Sequence, residues 1–286
     1  MPISAVASGV TGRRLALAEA GSLRLRILSA LLLAPLPLIA IWLGGPFLWT
    51  LTLLAATLMA WEWGRLCGAG ELGPGGVTLI ASVVLAVATA ALGGILAGAA
   101  IALIGAAVVW GVELYQGRLA PRWMAAGCLW VALPCIILLW LAQAESAGRV
   151  TLLWVFAIVW ATDIGAYAVG RLFGGPRLAP RWSPRKTWTG LLGGVACAAI
   201  AGWLTARVVG MGPILPLVLV SAGLAIVEQF GDLAESVAKR RFGVKDASSL
   251  IPGHGGLLDR LDGLLAVIPA VALLTWIGGG NVMTWR

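Results

Sequence analysis

The sequence predicts an all-α, polytopic membrane protein of about nine transmembrane helices, with a cytoplasmic N-terminus and the C-terminus outside. Three observations carry this expectation. First, 60% of the 286 residues are hydrophobic and 11% are charged, against about 45–50% and about 25% in soluble proteins. Second, nine apolar runs follow one another with short connections, at residues 27–43, 46–64, 77–94, 96–112, 124–142, 149–170, 188–209, 213–230 and 263–279, each near the roughly 20 residues that cross a hydrocarbon core. Third, with the N-terminus inside, 17 of the 20 Lys and Arg residues fall in inside segments, leaving Arg149, Arg207 and Arg286 outside. That bias sets orientation by the positive-inside rule.

Taken in order, residues 1–26 read as a cytoplasmic amphipathic segment whose Arg13, Arg14, Arg24 and Arg26 precede the first run. No small-residue cleavage site follows, so this run reads as a span and not as a secretory signal. Residues 27–142 hold spans one to five, and 149–286 hold spans six to nine with cytoplasmic loops at 171–187 and 231–262. Gly93 and Gly94 mark the join between the third and fourth spans. Pro35, Pro37, Pro134, Pro216 and Pro269 lie inside runs, which membrane helices tolerate when neighbours satisfy the freed backbone groups. Trp42, Trp49, Trp61, Trp63, Trp123 and Trp188 fall near span ends and read as an interfacial aromatic belt.

The composition also excludes functions. Cys67, Cys128, Cys135 and Cys197 are scattered without CxxC spacing and read as small buried hydrophobes. A single histidine, His254, excludes a multi-histidine metal site, and no GxxxxGK[ST] phosphate loop occurs. The net charge of +8 fits cytoplasmic loops and anionic lipid better than nucleic acid.

The polar residues are concentrated. Six of the twelve acids, Glu228, Asp232, Glu235, Asp246, Asp259 and Asp262, lie between 228 and 262. If the eighth span continues as a helix, Glu228, Asp232, Glu235 and Lys239 share one face. Asp259 and Asp262 are three apart beside a helix N-terminus, which favours negative charge. Oxygen ligands without His or Cys suit Mg²⁺, which takes one or two carboxylates plus substrate phosphates. Between these acids lies Pro252-Gly253-His254-Gly255-Gly256, whose backbone can approach a phosphate closely. Asp163, deep in the sixth span, is costly there unless it faces a cavity or a basic partner. Acids for a cation, bases for phosphate and a flexible Gly-rich turn make the mixture that phosphoryl or nucleotidyl transfer requires.

The run Ser236-Val237-Ala238-Lys239-Arg240, then Lys245-Asp246, then Leu250-Ile251-Pro252-Gly253-His254-Gly255-Gly256-Leu257-Leu258-Asp259-Arg260-Leu261-Asp262 resembles the signature of phosphatidate cytidylyltransferases, also called CDP-diacylglycerol synthases. Trp61-Glu62-Trp63, Asp163-Ile164-Gly165-Ala166-Tyr167 with Gly170-Arg171, and Ser183-Pro184-Arg185-Lys186-Thr187 extend the resemblance over most of the chain. Two positions depart from the pattern: Ala238 replaces a larger aliphatic, and Thr189 stands where a Glu is expected. The resemblance implies transfer of CMP from CTP to phosphatidic acid, with release of pyrophosphate. It implies Mg²⁺ and a second, monovalent cation such as K⁺. Carried over by position, Asp232, Asp259 and Asp262 are the metal ligands, and Lys239, Asp246 and Asp232 the catalytic set. Ser183, Lys186, Thr187, Arg240, Lys245, His254 and Arg260 are the substrate-binding set. The expected setting is a bacterial-type inner membrane with the site on the cytoplasmic side, membrane lipid as partner, no nucleic acid, and a homodimer. A related transferase acting on an isoprenoid or ether lipid keeps the fold. A transporter would need inverted repeats, which the sequence lacks, and acids nearer the midplane.

Overall fold

The computed structural model describes residues 29, 31–118, 120–144, 147–210 and 213–285. The expectations for residues 1–26, and for Arg286, lie outside the described residues. The chain runs through α1 (Pro35–Leu43), α2 (Gly45–Cys67), α3 (Pro74–Ala91), α4 (Ile95–Tyr115), α5 (Pro121–Ala142), α6 (Gly148–Phe173), a hairpin of β1 (Arg177–Ala179) and β2 (Ser183–Thr187), then α7 (Trp188–Val209), α8 (Ile214–Arg241) and α9 (Leu258–Ile277). A short 3₁₀ turn, Val282–Thr284, follows.

Each predicted run overlaps one helix, and the protein is a multi-pass membrane protein. Seven of the described helices, α3 to α9, are long and apolar enough to cross a membrane. The apolar helix through α1 covers only Leu31–Leu43, and α2 carries Trp61, Glu62, Trp63 and Arg65 in its last two turns. The Gly93–Gly94 join is a real break: Gly93 adopts φ +96°, a left-handed conformation that ends α3 before α4 begins. Pro35 sits at the start of α1 and Pro216 in the first turn of α8, where a missing N–H costs nothing. Pro134 and Pro269 do lie inside α5 and α9.

Two differences from the sequence reading concern the loops. Residues 231–241 are not loop but the last three turns of α8, and α9 begins at Leu258, so the loop proper is 242–257. The other loop folds into an antiparallel hairpin pairing Arg177 with Thr187 and Ala179 with Ser183. Its polar residues carry no apolar alternation from which a strand could be read.

Packing divides into α2 with α3, α4 and α5, and α6 with α7, α8 and α9, with α9 also seated on α5. Small residues let the second group approach closely, as in other membrane helix pairs. A Cβ on Gly165 would fall 2.6 Å from Cys197 Sγ, and one on Gly193 would collide with Val169. Between α8 and α9, a Cβ on Gly231 would fall 2.6 Å from Ala266 Cβ, and one on Gly263 2.7 Å from Glu228 Cγ. This close seam brings the acids of α8 against the start of α9.

The cysteines are free, with Cys128 and Cys135 buried. Trp42 and Trp188 are exposed, as an interfacial belt requires, but Trp63 is not part of one. It is 3% exposed, donates from Nε1 to Trp123 O at 2.8 Å, and occupies the space that a side chain at Gly127 would need. Gly127→Ala should therefore force Trp63 out of place and destabilise the protein by about 1–3 kcal/mol. A lowered thermal unfolding midpoint in detergent checks this, and an unchanged midpoint contradicts it.

Candidate active site

The charged centre begins with α8 as one continuous helix. Glu228, Glu235 and Lys239 share its inner face and are all buried, and Asp232 is half-buried beside them. Lys239 Nζ lies 3.0 Å from Glu235 Oε1, one turn back, and 2.6 Å from Asp259 Oδ1 on α9. Lys186, from the hairpin, reaches Asp232 Oδ2 at 2.6 Å. Asp232 Oδ1 also accepts from Ser236 Oγ at 3.3 Å. Asp163 of α6 lies within electrostatic reach of Glu228 and feels the charges of Asp232, Lys186 and Arg260. Asp262 feels Glu235, Asp232 and Lys239, and accepts from Gly263 N at 2.8 Å. Four elements, α6, the hairpin, α8 and α9, thus place six carboxyl groups and three cationic side chains in one electrostatic network.

The acids have different duties. Both oxygens of Asp259 are engaged: Oδ1 by Lys239, and Oδ2 by the backbone N–H groups of Ala247 and Gly256, each at 2.8 Å. Asp259 therefore organises the 242–257 loop as well as pairing with Lys239. Glu235 Oε2, by contrast, is buried with no hydrogen-bond partner among the described residues.

The remaining predicted residues are distributed around this centre. Thr187 is buried and its hydroxyl caps α7 by accepting from Gly190 N at 3.1 Å. Thr189, at the departing position, hydrogen-bonds Thr187 Oγ1 at 3.0 Å and donates to Gly174 O. Ser183 opens β2 and is half-buried. Arg240 spends its donors on carbonyls, Val244 O at 2.8 Å and Trp182 O at 3.4 Å, tying the loop and the hairpin to the end of α8. Lys245 and Asp246 are exposed and join no ion pair among the described residues. His254 sits in a tight turn in which Ile251 N donates to Gly255 O at 2.8 Å, and its Nδ1 is buried without a partner. Gly253 and Gly255, at φ +78° and +85°, supply the left-handed conformations this turn requires.

Sequence reasoning gave no site role to Glu235, paired with Lys239, nor to Glu228 and Glu62. Glu228 anchors the Asp163 side of the network and accepts from Gln229 Nε2 at 2.8 Å. Glu62 of α2, fully buried, reaches the start of α9. Once the structure starts α9 at Leu258, its apolar N-cap Leu257 shows why a partner from elsewhere is needed, but the sequence alone, which places the span at 263–279, does not show it.

The donor set fits a hard divalent cation on its chemistry. It offers only oxygen, and the six acids exceed the three bases around them. Among the described residues no three acidic, His or Cys groups converge closely enough to cage an ion by themselves. An ion here would take one or two protein carboxylates and complete its shell from phosphate and water, the usual habit of Mg²⁺. A separate cleft of about 750 Å³, lined by Glu113, Arg118, Met124, Arg241 and Phe242, opens at the same end but contains none of these acids.

Fold and site together define a multi-pass membrane protein with a partly buried acidic and basic centre at one end of its second helical group. The profile of the cytidylyltransferase family matches residues 24–277, and the chain belongs to that family. It is 39% identical over 270 residues to the phosphatidate cytidylyltransferase of Brucella suis, covering 90% of this chain and 93% of that protein. To the phosphatidate cytidylyltransferase of Pseudomonas aeruginosa it is 40% identical over 271 residues, covering 90% and 98%. A shorter match, 42% over 152 residues, relates it to the phosphatidate cytidylyltransferase of Staphylococcus epidermidis.

The ion-pair geometry yields a stability prediction. Lys239→Met leaves Glu235 and Asp259 buried without their shared counter-charge and should cost about 3–5 kcal/mol. Adding Glu235→Gln to that variant should recover part of the loss. Thermal unfolding in detergent reads both, and a single variant as stable as the parent contradicts the pairing.

Proposed function

We propose that this protein is a phosphatidate cytidylyltransferase, making CDP-diacylglycerol and pyrophosphate from CTP and phosphatidic acid. The observation that carries the reading is the charged network of α6, the hairpin, α8 and α9, set in a chain whose relatives bear that name over nine-tenths of its length. A phosphate oxygen of phosphatidic acid attacks the α-phosphorus of CTP. The bond to the β-phosphate breaks, and its electron pair leaves with pyrophosphate. The attacking oxygen is already anionic near neutral pH, so catalysis consists of positioning and charge neutralisation.

The residues divide that work. Asp232 and Asp262 are our leading ligands for Mg²⁺, with Asp259 as the third expected ligand acting mainly through Lys239 and the loop. Held there, the ion would supply neutralisation of the phosphate charge. Lys186 pairs with Asp232 and holds that carboxylate in place. Exposed Lys245 and Arg260 are free to receive phosphate, Asp246 and His254 flank them on the loop, and Arg240 fixes the loop and hairpin backbone. Ser183 stands beside the turn of the hairpin. The surplus of acids near Asp163 and Glu228 suits a second, monovalent ion such as K⁺.

The membrane setting belongs to the same proposal. We place nine spans with the N-terminus inside, in a bacterial-type inner membrane, with the site on the cytoplasmic face where CTP and the lipid headgroup meet. The alternation of basic segments supports this orientation. Pairing of two copies is our expectation for the assembly.

Purified protein in lipid should release pyrophosphate from CTP only when both phosphatidic acid and Mg²⁺ are present. Release without the lipid, or unaffected by EDTA, contradicts the reading. Asp262→Asn should lower turnover by at least about a hundredfold while the protein still purifies as a folded species; full turnover would remove Asp262 from the metal site.

A further inference from the structure

Glu62 lies in the first helical group, far in sequence from the charged centre, yet its hydrogen bonds run to the loop and the helix start that border that centre. Its Oε1 accepts from Ser248 Oγ at 2.6 Å and from Leu257 N at 2.9 Å, and its Oε2 from Leu258 N at 2.6 Å. The side chain is fully buried. Leu257 and Leu258 begin α9, and no local side chain caps that helix. Its orphan N–H groups are thus satisfied in trans by a carboxylate lying 195 residues earlier, where the positive end of the helix dipole also favours negative charge. Gly256 makes room for it, since a Cβ there would fall 2.6 Å from Glu62 Oε1.

Glu62 and Asp259 interleave. Asp259 takes the N–H groups of Ala247 and Gly256, and Glu62 takes Ser248, Leu257 and Leu258. Five donors at the two ends of the loop are gathered by two buried carboxylates, one from each helical group. The loop between them carries His254, and Asp246 immediately precedes its first anchored residue. The helix that starts from it carries Asp259, Arg260 and Asp262 within its first turns.

We propose that Glu62 is a positioning residue for the transfer reaction: it fixes the start of α9 and the 246–258 loop, and so sets where Asp259 and Asp262 point. This inference rests on the function proposed above. Glu62 itself touches no substrate; it acts through backbone N–H groups. Glutamine cannot replace it, because its amide nitrogen is a donor and in either orientation would face the backbone N–H of Leu257 or Leu258.

The test is the kinetics of Glu62→Gln and Gly256→Ala in lipid, measured per folded molecule, with hydrogen exchange at the Leu257 and Leu258 amides. Glu62→Gln should lower kcat about 10- to 100-fold, the scale of losing charge-assisted hydrogen bonds, while KM for CTP stays within about threefold. Exchange at the two amides should rise. Gly256→Ala leaves the carboxylate in place but crowds it, and should show the same split. It decides the matter if Glu62→Gln yields no folded protein. Wild-type kcat in the variants, or a loss confined to KM, overturns the positioning role. Should the parent protein show no turnover, the proposed function fails, and exchange at Leu257 and Leu258 in Gly256→Ala decides the positioning separately: faster exchange supports it, unchanged exchange overturns it.

Discussion

The structure depends on one buried ammonium. Lys239 stands between Glu235 on its own helix and Asp259 on the next, with both contacts at 3.0 Å or less. Bringing three charges out of water is expensive, and their attraction repays it only where the geometry is good and the remaining oxygens find donors. That condition is met at Asp259, whose other oxygen takes two backbone N–H groups. It is left open at Glu235, whose second oxygen has no partner among the described residues. Once the ammonium is fixed, the register of α8 against α9 follows, and the small residues at Gly231 and Gly263 allow the close seam that this register needs.

From that pair the order spreads outward through carboxylates. Asp259 holds two points of the loop, and Glu62 holds three more from the opposite helical group. Lys186 carries the hairpin to Asp232, and Arg240 binds the hairpin and loop backbones to the end of α8. The charges of Lys245, Asp246 and Arg260 are exposed on this frame. The division is physically sensible: the exposed charges stay solvated, and the groups that hold the frame are buried and, apart from Glu235 Oε2, satisfied by one another or by backbone N–H groups.

Much of this was legible in the sequence because membrane helices announce themselves by length and apolar composition. The shared face of Glu228, Asp232, Glu235 and Lys239 was readable from helical spacing, and so was the pair Lys239 and Glu235, which is four residues apart. What was not legible depends on pairings across helices. Nothing local says that Lys239 meets Asp259 or that Glu62 meets Leu258. Trp63 looked interfacial from its place near a span end, but a glycine on α5 opened a slot for its ring. The hairpin was missed because strand periodicity is absent from so polar a segment. Nothing in the sequence of Thr187, expected to bind substrate, says that its hydroxyl also accepts from Gly190 N to cap α7.

The central claim is that the acids and bases gathered around Lys239 form the place where CTP and a lipid phosphate meet. The most direct test is an experimental structure in a lipid bilayer with Mg²⁺ and a non-hydrolysable CTP analogue. The account predicts a triphosphate lying against Lys245 and Arg260, joined through the ion to Asp232 or Asp262, with Lys239 still paired to Glu235 and Asp259. A triphosphate bound elsewhere, such as in the cleft of Arg118 and Arg241, with these acids making no contact to it or to the ion, would contradict the account.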